Sequence, residues 1–96
     1  MPIPSDITMS PNAQSVSVGD FRDLISNLER LINCDYHSCV DHNERARWVR
    51  RARSVGSELI GTSCPRATTT DWIRREKAIE RSASLIGRNM ERFNRN

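Results

Sequence analysis

Lysine is nearly absent from this 96-residue chain, where Lys77 stands alone beside fourteen arginines. No run of about 18 apolar residues occurs either, so no segment is expected to span a membrane. The opening Met1-Pro2-Ile3-Pro4-Ser5-Asp6 lacks a basic start and an apolar core, and no signal peptide is expected there. Cysteine is scarce and odd in number. Three thiols suit a reducing compartment better than a disulfide framework. The chain has no glycine-rich phosphate loop, no Ser or Cys beside an obvious base and no paired carboxylates in a plausible pocket, so neither an enzyme nor a bound cofactor is expected. Internal repeats and strand-like alternation are also missing, which leaves helix as the structural class.

What is present is unevenly distributed charge. Residues 1–42 carry Arg22 and Arg30 against six acids, a balance of −4, whereas residues 43–96 carry thirteen basic residues against six acids, a balance of +7. A basic half of this kind points to a polyanionic partner. Arginine in place of lysine sharpens the point, because its planar fork pairs with phosphate at two points. A GC-rich or overlapping reading frame would enrich arginine equally well.

Residues 1–18 hold three prolines with Ser, Asn and Gln, and read as a flexible arm ahead of one helical domain at 19–96. A first helix is expected from about Asp20, capped by Ser17 or Asp20, with Phe21, Leu24, Ile25, Leu28, Leu31 and Ile32 forming one stripe on a 3.6-residue period. This aliphatic stripe is the candidate dimerisation surface, since a chain so short gains much from self-association. The polar stretch Asn33–Asn43 reads as a turn, with the helix extending at most a turn toward Tyr36. A second helix is expected over 42–61. Val49, Ala52, Gly56, Leu59 and Ile60 lie on one side of it, Arg47, Arg50, Arg51 and Ser54 on the other, and Arg45 and Arg53 on the flanks. Pro65 breaks the chain, and a third helix starts at Thr69 or Thr70 with Asp71 in its first turn. Its Trp72, Ile79, Ala83, Ile86, Met90 and Phe93 fall at heptad spacing, interrupted by Glu76, as a seam for another helix. The expected fold is therefore all-α: a helix–turn–helix hairpin plus a third helix, paired with a second copy in a dimeric bundle.

Two clusters carry chemistry. In Arg45-Ala46-Arg47-Trp48-Val49-Arg50-Arg51-Ala52-Arg53-Ser54 no acid relieves the arginines between Glu44 and Glu58. An ordinary solvated face would alternate charges at i, i+4 spacing, so a phosphate-binding surface is the preferred reading. Trp48 borders this surface and Trp72 sits on the seam, and both are expected to pack. The second cluster, Cys34, His37, Cys39 and His42, offers zinc-ligand types at poor spacing, and a helix–helix turn without metal is the preferred reading.

The order of these features resembles the RNA-silencing suppressors of insect nodaviruses, which are small helical dimers that bind double-stranded RNA without sequence preference. The resemblance covers about residues 20–75. It rests on an aliphatic first helix, a basic second helix from Asn43-Glu44-Arg45 to Ile60, then Thr62-Ser63, Pro65-Arg66 and Trp72-Ile73. The heptad third helix and the Cys/His turn depart from that pattern. The resemblance implies a viral protein acting in the host cytoplasm, with Arg47, Arg50, Arg51, Ser54 and Arg66 on the RNA backbone. Arg45, Arg53 and Arg74 complete the candidate RNA-binding set. A-form RNA hides its base edges in a deep, narrow groove, so a rigid arginine helix suits recognition by phosphates and 2′-hydroxyls. The alternatives are a coiled-coil adaptor built on the third helix and a small DNA-binding regulator, although arginines spread along a whole helix do not suit a short recognition helix.

Overall fold

The computed structural model describes the backbone of residues 14–94 and the side chains of residues 15–90. The elements run β1 (Gln14–Ser15), α1 (Val18–Arg30), a π-helical segment (Leu31–Asp35), α2 (Tyr36–Ser38), α3 (His42–Ile60), β2 (Thr62–Ser63) and α4 (Thr69–Asn94). The chain is thus mostly helical, as expected, with three long helical pieces packed on one another. Residues 1–13 of the expected arm lie outside the described residues. Residues 14–18 are not an arm: β1 pairs in parallel with β2, Gln14 opposite Thr62 and Ser15 opposite Ser63, and Val16 N–H donates to the Ser63 carbonyl at 3.0 Å. Val16 and Val18 also pack on the core.

Ser17 caps α1, accepting the Asp20 N–H on its hydroxyl at 3.1 Å. The aliphatic stripe then turns inward. Phe21, Ile25 and Leu28 have no exposed surface, Ile32 and Leu31 are buried, and Leu24 is half-buried. This corrects the expectation that the stripe meets a second copy, because its side chains already touch α3 and α4 of the same chain.

The expected turn at Asn33–Asn43 is also shorter. Helical backbone continues through Leu31–Asp35 as a π turn and on to Ser38, so that only Cys39–Asp41 connect to α3. The cause is visible at Leu31, whose carbonyl accepts both the Tyr36 N–H, five residues on, and the indole N–H of Trp48 at 2.7 Å. A side-chain donor entering the helical ladder is a known origin of such bulges. The wider turn brings Tyr36 round to Trp48, with ring centroids 4.9 Å apart. Trp48 itself is buried, as expected.

The connection after α3 has defined chemistry. Thr62 Oγ1 donates to the Glu58 carbonyl at 2.6 Å, and Ala67 N–H closes a turn on the Cys64 carbonyl at 3.0 Å with Pro65 in the second position. Thr68, one residue before the expected start, caps α4. Its hydroxyl accepts the Asp71 N–H at 3.2 Å while the Asp71 carboxylate accepts the Thr68 N–H at 3.0 Å, a reciprocal capping box.

Helix α4 buries a different face from its heptad seam. Asp71, Ala78, Ser82 and Asn89 are buried, whereas Trp72, Ile79, Ile86 and Met90 are half-buried and Ala83 is exposed. Small and polar side chains permit close approach, and Asp71 and Asn89 have partners. Asn89 Nδ2 donates to the Leu85 carbonyl at 2.7 Å, and Asp71 receives the Arg22 fork at 3.0 and 3.2 Å. Trp72 packs on Phe21 with centroids 5.0 Å apart. Arg75 lies over Trp72 and pairs with Glu76, leaving its buried Nε without an acceptor.

The Arg22 fork, then the Thr68 amide, hold the Asp71 carboxyl at about 2, below its ordinary 3.8. A carboxyl whose folded pKa is depressed stabilises the fold above its unfolded pKa, and that contribution is lost as pH falls from about 4 toward 2. The urea midpoint of the unmutated chain, followed by circular dichroism, should therefore drop over this window. Asp71→Asn should have a lower midpoint at neutral pH and a flatter acid dependence.

Candidate nucleic-acid interface

Helix α3 begins at Asp41, whose Oδ1 accepts the Glu44 N–H at 2.8 Å, while the Glu44 carboxylate reaches back to the Val40 N–H at 3.3 Å. Trp48, Val49, Ala52 and Leu59 are the buried side of the helix. The opposite side exposes Arg47, Arg50, Arg51 and Ser54, as the 3.6-residue period requires. Arg47, Arg50 and Arg51 line one open groove of about 600 Å³, which the end of the π segment and the α2–α3 junction close from the other side with Asp35, Ser38 and Cys39. A second groove of about 300 Å³ lies alongside, bordered by Arg51 and Ser54 from α3 and by Asn27 and Arg30 from α1.

The rest of the candidate set is dispersed. Arg45 is half-buried, its guanidinium 4.9 Å from the centre of the Tyr36 ring. Arg53 projects from the other flank of α3, beside a smaller apolar groove shared with α4. Arg66 is exposed within the Cys64–Ala67 turn and lines neither arginine groove. Arg74 has a structural partner. It binds Glu29 of α1 at 2.6 and 3.3 Å and Ser26 Oγ at 3.5 Å, and the Glu29 carboxylate pushes its pKa up. Other cations near α4 are engaged as well, Arg22 by Asp71 and Arg81 by Asn33 at 3.4 Å. By contrast, Arg51 is the arginine of the α3 face with an acidic partner, a 3.4 Å contact to Asp35. Arg30 was missed by sequence reasoning, because its closeness to Ser54 and Arg51 depends on two helices meeting and no spacing rule within one helix reveals it.

Among the described residues no three His, Cys, Asp or Glu side chains come together as a metal-holding group. Cys34 is exposed on the π segment and His37 stands edge-on to Tyr36 at 5.6 Å. Cys39 donates to the Asp35 carbonyl at 3.4 Å, and burial, followed by the nearby Glu44 carboxylate, pushes its thiol pKa up. Among the described residues no helix is long and apolar enough to cross a membrane.

Comparison with known protein families, with curated proteins and with solved structures finds no match for this chain.

Two measurements check these assignments. Arg74→Ala should lower the unfolding free energy by about 1 kcal/mol or less, the scale of a partly exposed ion pair, while Arg50→Ala should leave it within about 0.5 kcal/mol. In thiol labelling at mildly alkaline pH, Cys34 should react first. Cys39 should follow more slowly, and Cys64, which is 1% exposed, only on unfolding.

Proposed function

We propose that this chain binds double-stranded RNA through its phosphate backbone, without reading sequence, and acts as a homodimer that withholds duplex RNA from host silencing. The observation that carries this reading is the α3 face, where Arg47 and Arg50 line one open groove together with Arg51, whose contact to Asp35 is exposed and 3.4 Å long, while the arginines between α1 and α4 are held by closer acids at 3.0 and 2.6 Å. Like charges crowded together destabilise a free helix, and a polyanion relieves that repulsion. A 19-residue helix extends about 28 Å, long enough to track phosphates across a duplex groove. The step from duplex binding to silencing suppression rests on the family resemblance alone.

The dimer rests on the apolar strip between α3 and α4. Ala52, Gly56, Ile60, Ile79, Ala83 and Ile86 line a groove of about 170 Å³, and Ile60 is 59% exposed. The radius of gyration, 15.9 Å, exceeds the roughly 12 Å of a compact domain of this length, so a single copy is elongated. A two-fold copy seated on this strip would present the arginine face twice. The same strip favours the adaptor reading if a foreign helix occupies it.

The test is a gel-shift panel of matched duplex RNA, duplex DNA and single strands at several salt concentrations, with light scattering for size. Duplex RNA binding that is independent of sequence and falls steeply with salt is expected. Arg50→Ala and Arg51→Ala should each weaken all duplexes alike and reduce the salt slope by roughly one unit, with helicity unchanged. Unchanged affinity in both folded variants would move the site elsewhere. Salt-independent capture of a helical peptide without RNA binding would favour the adaptor, and a preference for duplex DNA the regulator.

A further inference from the structure

The two arginine grooves share Asp35 and Arg51, so they meet at one ion pair. Together they form a trough along the seam between the α1–π–α2 stretch and α3, divided at that ion pair. Arg47 and Arg50 lie in one arm, and Arg30 and Ser54 in the other. The ion pair at the junction is long, 3.4 Å, made by one guanidinium nitrogen, and open to water on both sides, with side-chain exposures of 63% for Arg51 and 39% for Asp35. Glu44, the other acid in the trough, is held by the Val40 amide as part of the α3 cap. Asp35 has no such duty. Its carboxylate contacts Arg51, and its place in the trough follows from the π turn that ends with it.

On the strength of the duplex-binding reading above, we propose that Asp35 occupies the position of an RNA phosphate, as an internal anion that Arg51 must release for a strand to lie along the whole trough, and that Arg30 extends the phosphate track from α3 onto α1. A carboxylate and a phosphate oxygen offer the guanidinium the same kind of acceptor. The Asp35 carboxylate takes one nitrogen of Arg51, and a phosphate that uses that donor must displace it and then faces it with like charge. Asp35 therefore weakens duplex binding while orienting Arg51 in the free protein. A single solvated contact is readily exchanged, which suits a protein that must take up and release duplexes without regard to sequence.

The experiment titrates a short fluorescein-labelled duplex RNA of arbitrary sequence against the full chain and five variants, Arg50→Ala among them, at several salt concentrations, with circular dichroism for each. Asp35→Asn and Asp35→Ser should both bind about two- to fivefold more tightly, the range that an exposed ion pair represents, with a steeper salt dependence. Glu80→Gln makes the same change in net charge on exposed α4 surface and should leave affinity near that of the unmutated chain. Arg30→Ala should weaken binding and lower the salt slope by roughly one unit. Equal or weaker binding by both Asp35 variants, or a gain in Glu80→Gln matching theirs, overturns the role of Asp35. Unchanged binding by folded Arg30→Ala overturns the extension onto α1. Either result, in a chain that binds duplex RNA and loses affinity on Arg50→Ala, refutes this inference alone, whereas absence of duplex binding by the unmutated chain refutes the parent reading.

Discussion

Where α1 meets the start of α4, one carboxylate accepts three hydrogen bonds from two residues. Asp71 accepts the amide of Thr68, receives both arms of the Arg22 fork, and offers its own amide to the Thr68 hydroxyl. A carboxylate that is 3% exposed would be costly without such compensation. Satisfied in this way, it defines where α4 begins and at what angle it leaves the first helix. Arg74 then meets Glu29 one turn further on, and Ala78, Ser82 and Asn89 come against the body of the molecule. In this rotation the apolar seam of α4 is half-buried and packs on the edge of the core beside the polar contacts.

That rotation divides the arginines into two groups. Arg22 and Arg74 point across the α1–α4 contact and meet acids from the other helix. Arg47, Arg50 and Arg51 project from the side of α3 opposite Val49 and Ala52. The planar guanidinium serves both groups. It makes the two-point contact to Asp71 that a lysine ammonium cannot reproduce, and it presents the same fork to solvent on α3.

The long elements were legible because they depend on local rules. The stripe from Phe21 to Ile32, the two-sided second helix and the break at Pro65 follow from period and turn chemistry. What stayed hidden depends on residues far apart in sequence. Asn33-Cys34-Asp35 is a polar triplet of the kind found in turns, and only the indole of Trp48 makes it a helical bulge. Arg74 looked like part of a basic face because Glu29, 45 residues earlier, is invisible to any window on α4. The buried polar face of that helix was obscured for the same reason, since Asp71 and Asn89 read as surface residues until their partners are known. Even the site was half legible: the α3 arginines followed from one helix's period, but the wall opposite them comes from another element.

The π turn at Leu31–Asp35 has a consequence for how this chain can vary. A bulge of one residue is what remains when a helix absorbs an insertion without breaking, and removing one residue there would restore an ordinary α-helix. Each position beyond it would then swing by about 100° around the axis. Tyr36 would leave Trp48, Cys39 would leave the turn before α3, and a different side chain would occupy the junction of the trough. In this segment, length is therefore more constrained than composition: a substitution at exposed Cys34 disturbs little, while a change of a single residue in spacing would redraw both the core contact and the charge pattern of the surface.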